Sequence, residues 1–235
     1  RDQCDSDLVA MLIRQADILI EQGEPEQALE KLRTAYKNDP GFPPLAQRLA
    51  QFYIDCGKRR RAIRVLEKAW KRLPHPELVV LWDEVAPRNK PNDSQVRLRW
   101  FERLLALRPD SAEGQMAVAR AAIDDGLWGE ARAYLGQAEK IQPNPRLYRM
   151  WAELEDLATH DEEAARTWLE KAAQAPGDKV WVCIRTGCIY KQWAPIAEPQ
   201  GSFNTIVWDY PETWRKGAAT KDEGALPHDE LDMLT

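Results

Sequence analysis

Cys183 and Cys188, separated by four residues, are the pair in this chain best placed by spacing to do chemistry together. A structural zinc site takes four soft donors in a tetrahedron, and a C-x4-C pair offers two. No histidine lies close by in sequence to complete the set, since His160 and His228 are distant. Three readings follow: two reduced thiols in a short strand pair, a local disulfide if the Cα atoms approach within about 7 Å, or a residual metal site. Reduced thiols fit best. The other two cysteines, Cys4 and Cys56, add no framework. Cys56, at a helix end before Gly57, reads as a small buried apolar filler, so the thiols suit a reducing compartment.

Other chemistry is sparse. His75, His160 and His228 are scattered, with no nucleophile or ligand spacing around them. Glycine-rich phosphate loops are absent. The acidic pairs Asp124-Asp125 and Glu162-Glu163 fall where turns between helices are expected. The expectation is a protein that is not an enzyme and carries no cofactor. With a formal charge of −5, nothing favours nucleic acid as partner. The one basic run, Lys58-Arg-Arg-Arg61 with Arg64, reads as a solvated outer face, although cations beside a helix N-terminus are mildly unfavourable.

The elements that must carry these residues are set by a repeat. Gly23, Ala28, Leu32, Ala35 and Pro40 recur 34 positions on as Gly57, Ala62, Leu66, Ala69 and Pro74. Small residues let two antiparallel helices approach, glycine ends the first helix, and proline stops the second. One such unit cannot bury its apolar face, so units stack into a curved solenoid. The pattern resembles the tetratricopeptide repeat and implies five helical hairpins over residues 1–176. The fourth holds Ala119, Gly126, Ala131, Leu135, Ala138 and Pro143. The third is degenerate, with Arg97 where alanine is expected and a turn-rich joint over 87–93. The fifth has His160 in the glycine position and closes the stack.

From Val180 the texture changes to aromatic and β-branched residues between turn formers, which predicts two or three short strands over 177–210. So small a sheet needs metal or docking on the last helices. Trp181, Cys183, Gly187, Trp193, Pro195, Gly201, Phe203 and Trp208 form a framework that resembles the C-terminal module of the HemY family of alphaproteobacteria, a degenerate zinc-ribbon or rubredoxin-like knuckle pair. In that family the knuckles read C-x2-C-G and C-P-x-C-G. Here Thr186, Ala197 and Gln200 stand at three of the four ligand positions. The resemblance implies a scaffold tied to haem biosynthesis or envelope assembly, on the cytoplasmic side of a bacterial inner membrane. No run is long enough to cross a bilayer, so membrane attachment is expected only through an N-terminal segment absent from this piece. A metal- or redox-sensing adaptor using Cys183 and Cys188, and a haem-handling protein, are the alternatives. Residues 211–235 are polar and expected to be disordered, apart from a short amphipathic stretch at 230–234.

Superposition on the tetratricopeptide motif places Ile13, Asp17, Ile20, Glu21, Gln47, Gln51, Asp55, Trp82, Met116, Arg120 and Asp124 on the inner groove. The acidic members favour a protein or peptide partner bearing Lys or Arg, with Trp82 as an apolar anchor. Of the ten tryptophans, Trp70, Trp100, Trp128 and Trp168 fall at packing positions, and Trp181, Trp193 and Trp208 form the strand centre or fix it to the last repeat. The oligomeric state is left open.

Overall fold

The computed structural model describes residues 3–87 and 94–211. Ten helices run in antiparallel pairs: α1 (Gln3–Glu21) with α2 (Pro25–Asn38), α3 (Pro43–Asp55) with α4 (Arg59–Arg72), α5 (Pro76–Glu84) with α6 (Ser94–Ala106), α7 (Ala112–Asp124) with α8 (Trp128–Ile141), and α9 (Pro145–Thr159) with α10 (Glu162–Gln174). Helix starts follow the local chemistry. Proline opens α2, α3, α5 and α9, where its missing N–H costs nothing. Ser111, Asn144 and Asp161 accept from the amides of Gly114, Leu147 and Ala164 at the starts of α7, α9 and α10.

Among the described residues, four hairpin turns use a left-handed residue: Gly23, Gly57, Gly126 and His160. Gly57, at φ +67°, donates to the Ile54 carbonyl at 2.8 Å while Lys58 reaches back to Tyr53 at 2.7 Å. His160 takes the same conformation, φ +55°, without glycine's freedom. The corresponding joint of the third hairpin, anticipated over 87–93, lies outside the described residues from position 88.

Small residues make the packing possible. Ala16, Ala28, Ala35, Ala50, Ala62, Ala69, Ala119, Ala131 and Ala138 are completely buried at helix crossings, with Leu32, Leu66 and Leu135 filling the space between. Each such leucine contributes roughly 1.5–3 kcal/mol by burial. First helices of neighbouring hairpins touch one another, α3 against α5 and α7 against α9. They line the inner face, and the second helices form the outer one. The fold is a tetratricopeptide-like α-α superhelix with small C-terminal strands.

Those strands are β1 (Val180–Cys183), β2 (Ile189–Tyr190), β3 (Ile196–Ala197), β4 (Ser202–Phe203) and β5 (Ile206–Asp209). β1 is central in an antiparallel β2-β1-β5 sheet, pairing Trp181 with Tyr190 on one side and Trp208 on the other. β3 and β4 form a second pair. Trp181, Cys183, Trp193, Ala197 and Ile206 belong to the same continuous hydrophobic core as the helices. The expected disordered tail, including the 230–234 stretch, lies outside the described residues from position 212 onward.

Candidate partner-binding surface

The strands pack on the first three hairpins rather than on the last repeat alone. Trp193 meets Phe42 edge to face at 5.0 Å, with the Arg48 guanidinium 5.5 Å over its ring. Trp181 donates its indole N–H to Glu77 at 2.7 Å, and Trp208 lies 4.3 Å from His75. Asn204 donates to Ser6 and Asp7 of α1, at 3.1 and 2.7 Å. Near the other end, Gln142 donates to the Tyr210 hydroxyl at 2.9 Å. The segment therefore runs along the N-terminal ends of the inner helices, from the fifth hairpin back to the first. The expectation that Trp181, Trp193 and Trp208 fix it to the last repeat is corrected by these contacts.

His75 is at the centre of this contact. Its Nδ1 accepts from the Glu77 amide at 3.2 Å and caps α5, which leaves the proton on Nε2. The ring is fully buried, Nε2 has no hydrogen-bond partner among the described residues, and burial together with the Arg146 charge lowers its pKa to about 4. Burial raises Glu77, partly offset by the Trp181 N–H. Burial also raises Glu113, which Arg146 pairs with, and Asp178. His75 and Glu77 carry no motif and were invisible as a contact in sequence, because their partners lie more than a hundred residues away.

Of the residues expected on the groove, Ile13, Trp82 and Met116 are buried in the helical core and offer a partner nothing. Trp82 is corrected from anchor to core. Its ring stacks on Trp100, and with Leu78 and Leu81 it fills the degenerate hairpin. The charged members are largely satisfied from within. Asp17 takes two hydrogen bonds from Arg48, at 3.0 and 3.2 Å. Asp124 pairs with Arg97, and Arg120 grips Glu153 with both terminal nitrogens. Arg97, at the position of the missing alanine, bridges Asp83 and Asp124 and so ties three helices together.

What remains accessible lies at the opposite ends of the inner helices. Ile20 is 49% exposed and Glu21 is exposed at the end of α1. Gln47 and Gln51 are half-buried on α3, and Gln51 donates to the exposed Asp55 at 3.0 Å. Next to Asp55 a recess of about 400 Å³ is lined by Ile54, Arg59, Glu84, Val85, Ala86 and Pro87. Sequence reading missed Ile54, Glu84 and Val85, because only the fold brings the ends of α3 and α5 together.

The cysteines divide by environment. Cys183 is buried and Cys188 exposed, both as free thiols, and Cys56 is exposed, which corrects its reading as buried filler. Burial pushes the Cys183 thiol up, but hydrogen bonding with Thr186, Thr205 and the backbone of Arg185 and Thr186 outweighs it and holds the pKa at about 7. The two turns share one geometry: Gly187 donates to the Cys183 carbonyl at 2.8 Å and Gly201 to the Ala197 carbonyl at 2.9 Å. Among the described residues no cluster of three or more His, Cys, Asp or Glu is placed to hold a metal ion, and no helix is long and apolar enough to cross a membrane.

The tetratricopeptide-repeat family profile matches residues 19–79. Over 187 residues, 79% of this chain, the sequence is 28% identical to the probable magnetosome protein Mms48 of Magnetospirillum gryphiswaldense, and it spans 41% of that protein's length. Among solved structures, MamA from Desulfovibrio magneticus RS-1 aligns at 18% identity over 72% of this chain and 94% of its own, with a TM-score of 0.42. YrrB, described as a tetratricopeptide-repeat protein with an unusual peptide-binding site, aligns at 18% identity over 69% of this chain and 84% of its own, with a TM-score of 0.41. The family match supports the repeat over residues 19–79, and none of these similarities supports the HemY family specifically. Residues 19–79 of this chain are similar to the tetratricopeptide repeat, and the helical array around them is tetratricopeptide-like in fold.

Proposed function

We propose that this chain is a protein-interaction scaffold that holds a basic, partly apolar polypeptide segment along the open half of its inner face. The observation that carries the reading is the division of that face. The β segment occupies the N-terminal ends of the inner helices, while Ile20, Glu21, Gln51 and Asp55 stay accessible at the other ends, beside the recess at Ile54 and Val85. Asp17 and Asp124 are neutralised by arginines of this chain, so Glu21 and Asp55, with Glu84 at the recess, are the carboxylates left to recognise Lys or Arg. An apolar side chain of the segment fits the recess, as an anchor residue does in a peptide groove. The proposal gives the chain no catalytic step and no cofactor. A finer reading, a HemY-like membrane-anchored scaffold serving haem or envelope assembly, rests on the tail framework alone.

The test is a titration of a labelled Lys/Leu peptide and its Glu/Leu counterpart against the parent chain and a Glu21→Lys, Asp55→Lys variant. The parent is expected to prefer the basic peptide by about tenfold or more, and the variant to reverse that preference. Equal binding of both peptides by both proteins overturns the reading.

A further inference from the structure

Helix α4 (Arg59–Arg72) carries seven basic residues and a single acid, Glu67, in a chain whose formal charge is −5. Two of its charges are used internally. Arg59 donates to the Val85 carbonyl at 2.8 Å and lies over the Trp100 ring, while Glu67 is taken by Arg103 of α6. The other six cations, Arg60, Arg61, Arg64, Lys68, Lys71 and Arg72, are all exposed. None forms an ion pair with an acid among the described residues. Arg61 and Lys68 lie over the rings of Tyr53 and Tyr36, at 5.9 and 5.5 Å, which holds their stems while leaving the charge outward. Helix stability accounts for Lys71 and Arg72 in the last turn but not for Arg60 and Arg61 in the first, where cations oppose the helix dipole.

We propose that the outer face of α4 is a docking surface for an anionic lipid bilayer. As a second helix of its hairpin, α4 faces away from the groove, so nothing in the inner face has to move for the contact to form. Arg60, Arg64, Lys68 and Lys71 follow one another at helical spacing along one side. From Arg60 to Lys71 they span about 16 Å at 1.5 Å per residue, enough to meet several headgroups at once. Leu73, 44% exposed just beyond the helix, supplies an apolar group at the same end. A planar surface meets this face alone, whereas a flexible polyanion would also reach the acidic remainder of the chain. The aromatic rings here are covered by their own cations and present no stacking platform for bases. The inference stands independently of the groove reading, since it concerns the opposite side of the superhelix.

Vesicle flotation tests it, with the full chain mixed with phosphatidylcholine vesicles lacking or containing phosphatidylserine. Binding is expected only to the phosphatidylserine vesicles and is expected to fall as salt is raised. Each cation near such a surface is worth roughly a fivefold gain in partitioning, so the Arg60→Gln, Arg64→Gln, Lys68→Gln variant should bind about a hundredfold more weakly. The Arg60→Lys, Arg64→Lys variant should retain binding, and far-ultraviolet circular dichroism confirms that each variant is folded. Equal partitioning to both vesicle types, or unchanged binding by a folded triple-Gln variant, overturns the proposal. So does tighter binding to polyglutamate or duplex DNA than to the phosphatidylserine vesicles at the same salt, which would reassign the face to a protein or nucleic-acid partner.

Discussion

Trp82 and Trp100 each donate an indole N–H to the other's main-chain carbonyl, at 3.0 and 2.8 Å, while their rings stack 4.3 Å apart and 12° from parallel. Arg103 lies over both rings, at 5.8 and 5.2 Å. The pair joins α5 to α6 across the hairpin in which Arg97 replaces the small residue that elsewhere allows close helix approach. Truncating Trp82 to Ala should cost about 3–5 kcal/mol, through the cavity and the orphaned polar groups. Trp82→Phe should cost less, since the ring stays and one hydrogen bond goes. Urea unfolding of Trp82→Ala, Trp100→Ala and the double variant checks this. Additive losses would show that the rings do not act as a unit.

Contact of the β segment with the array should be separable from folding of the distal hairpins. Trp193→Ala removes the ring held between Phe42 and Arg48. Amide exchange across residues 180–209 should then accelerate, while α7–α10 keep their protection. Unchanged exchange over the strands would mean that Trp193 does not hold them.

His75 predicts a pH dependence with a definite sign. Its pKa is depressed from the ordinary 6.5 to about 4. In the unfolded chain it binds a proton through that window while the folded ring stays neutral, so stability is lost as pH falls from about 6.5 to about 4, by on the order of 3 kcal/mol. Glu77, Glu113 and Asp178 have raised values and act in the opposite direction as they take up protons in the folded state. His75→Asn keeps a cap acceptor and removes the titrating ring. It should be less stable than the parent at neutral pH, with the gap narrowing on acidification. A constant gap between pH 7 and about 4.5 in urea unfolding would show that His75 does not titrate in this window.

The hairpin turns predict opposite effects for two substitutions. Gly57→Ala places a side chain at φ +67° and should lose about 1 kcal/mol. His160→Gly relieves the same conformation at φ +55° and should gain up to about 1 kcal/mol. Thermal melting of both variants reads the two signs directly.

Much of the fold was legible because its rules are local. Ala28, Ala35, Ala62 and Ala69 sit at helix crossings where only a small side chain fits. The glycines of the first, second and fourth hairpin turns and the prolines that open α2, α3, α5 and α9 act within a few residues of themselves. The candidate surface was legible only in part. Repeat position alone put Trp82 and Ile20 on the same groove, yet Trp82 is buried against Trp100 while Ile20 is half exposed, because the degenerate hairpin, with Arg97 at its small crossing position, fills its interior with a stacked ring pair. Charges such as Asp17 and Asp124 read as available until Arg48, Arg97 and Arg120 were found beside them.

By itself, the order of residues determined that paired helices would stack and that short strands would follow them. Tertiary structure alone decided where the strands would lie. Trp181 meets Glu77, Trp208 meets His75, and Asn204 meets Asp7 because the curvature of the stack brings its early loops under its own C-terminal segment. Curvature accumulates over many small helix-to-helix rotations, and no short stretch of sequence records their sum.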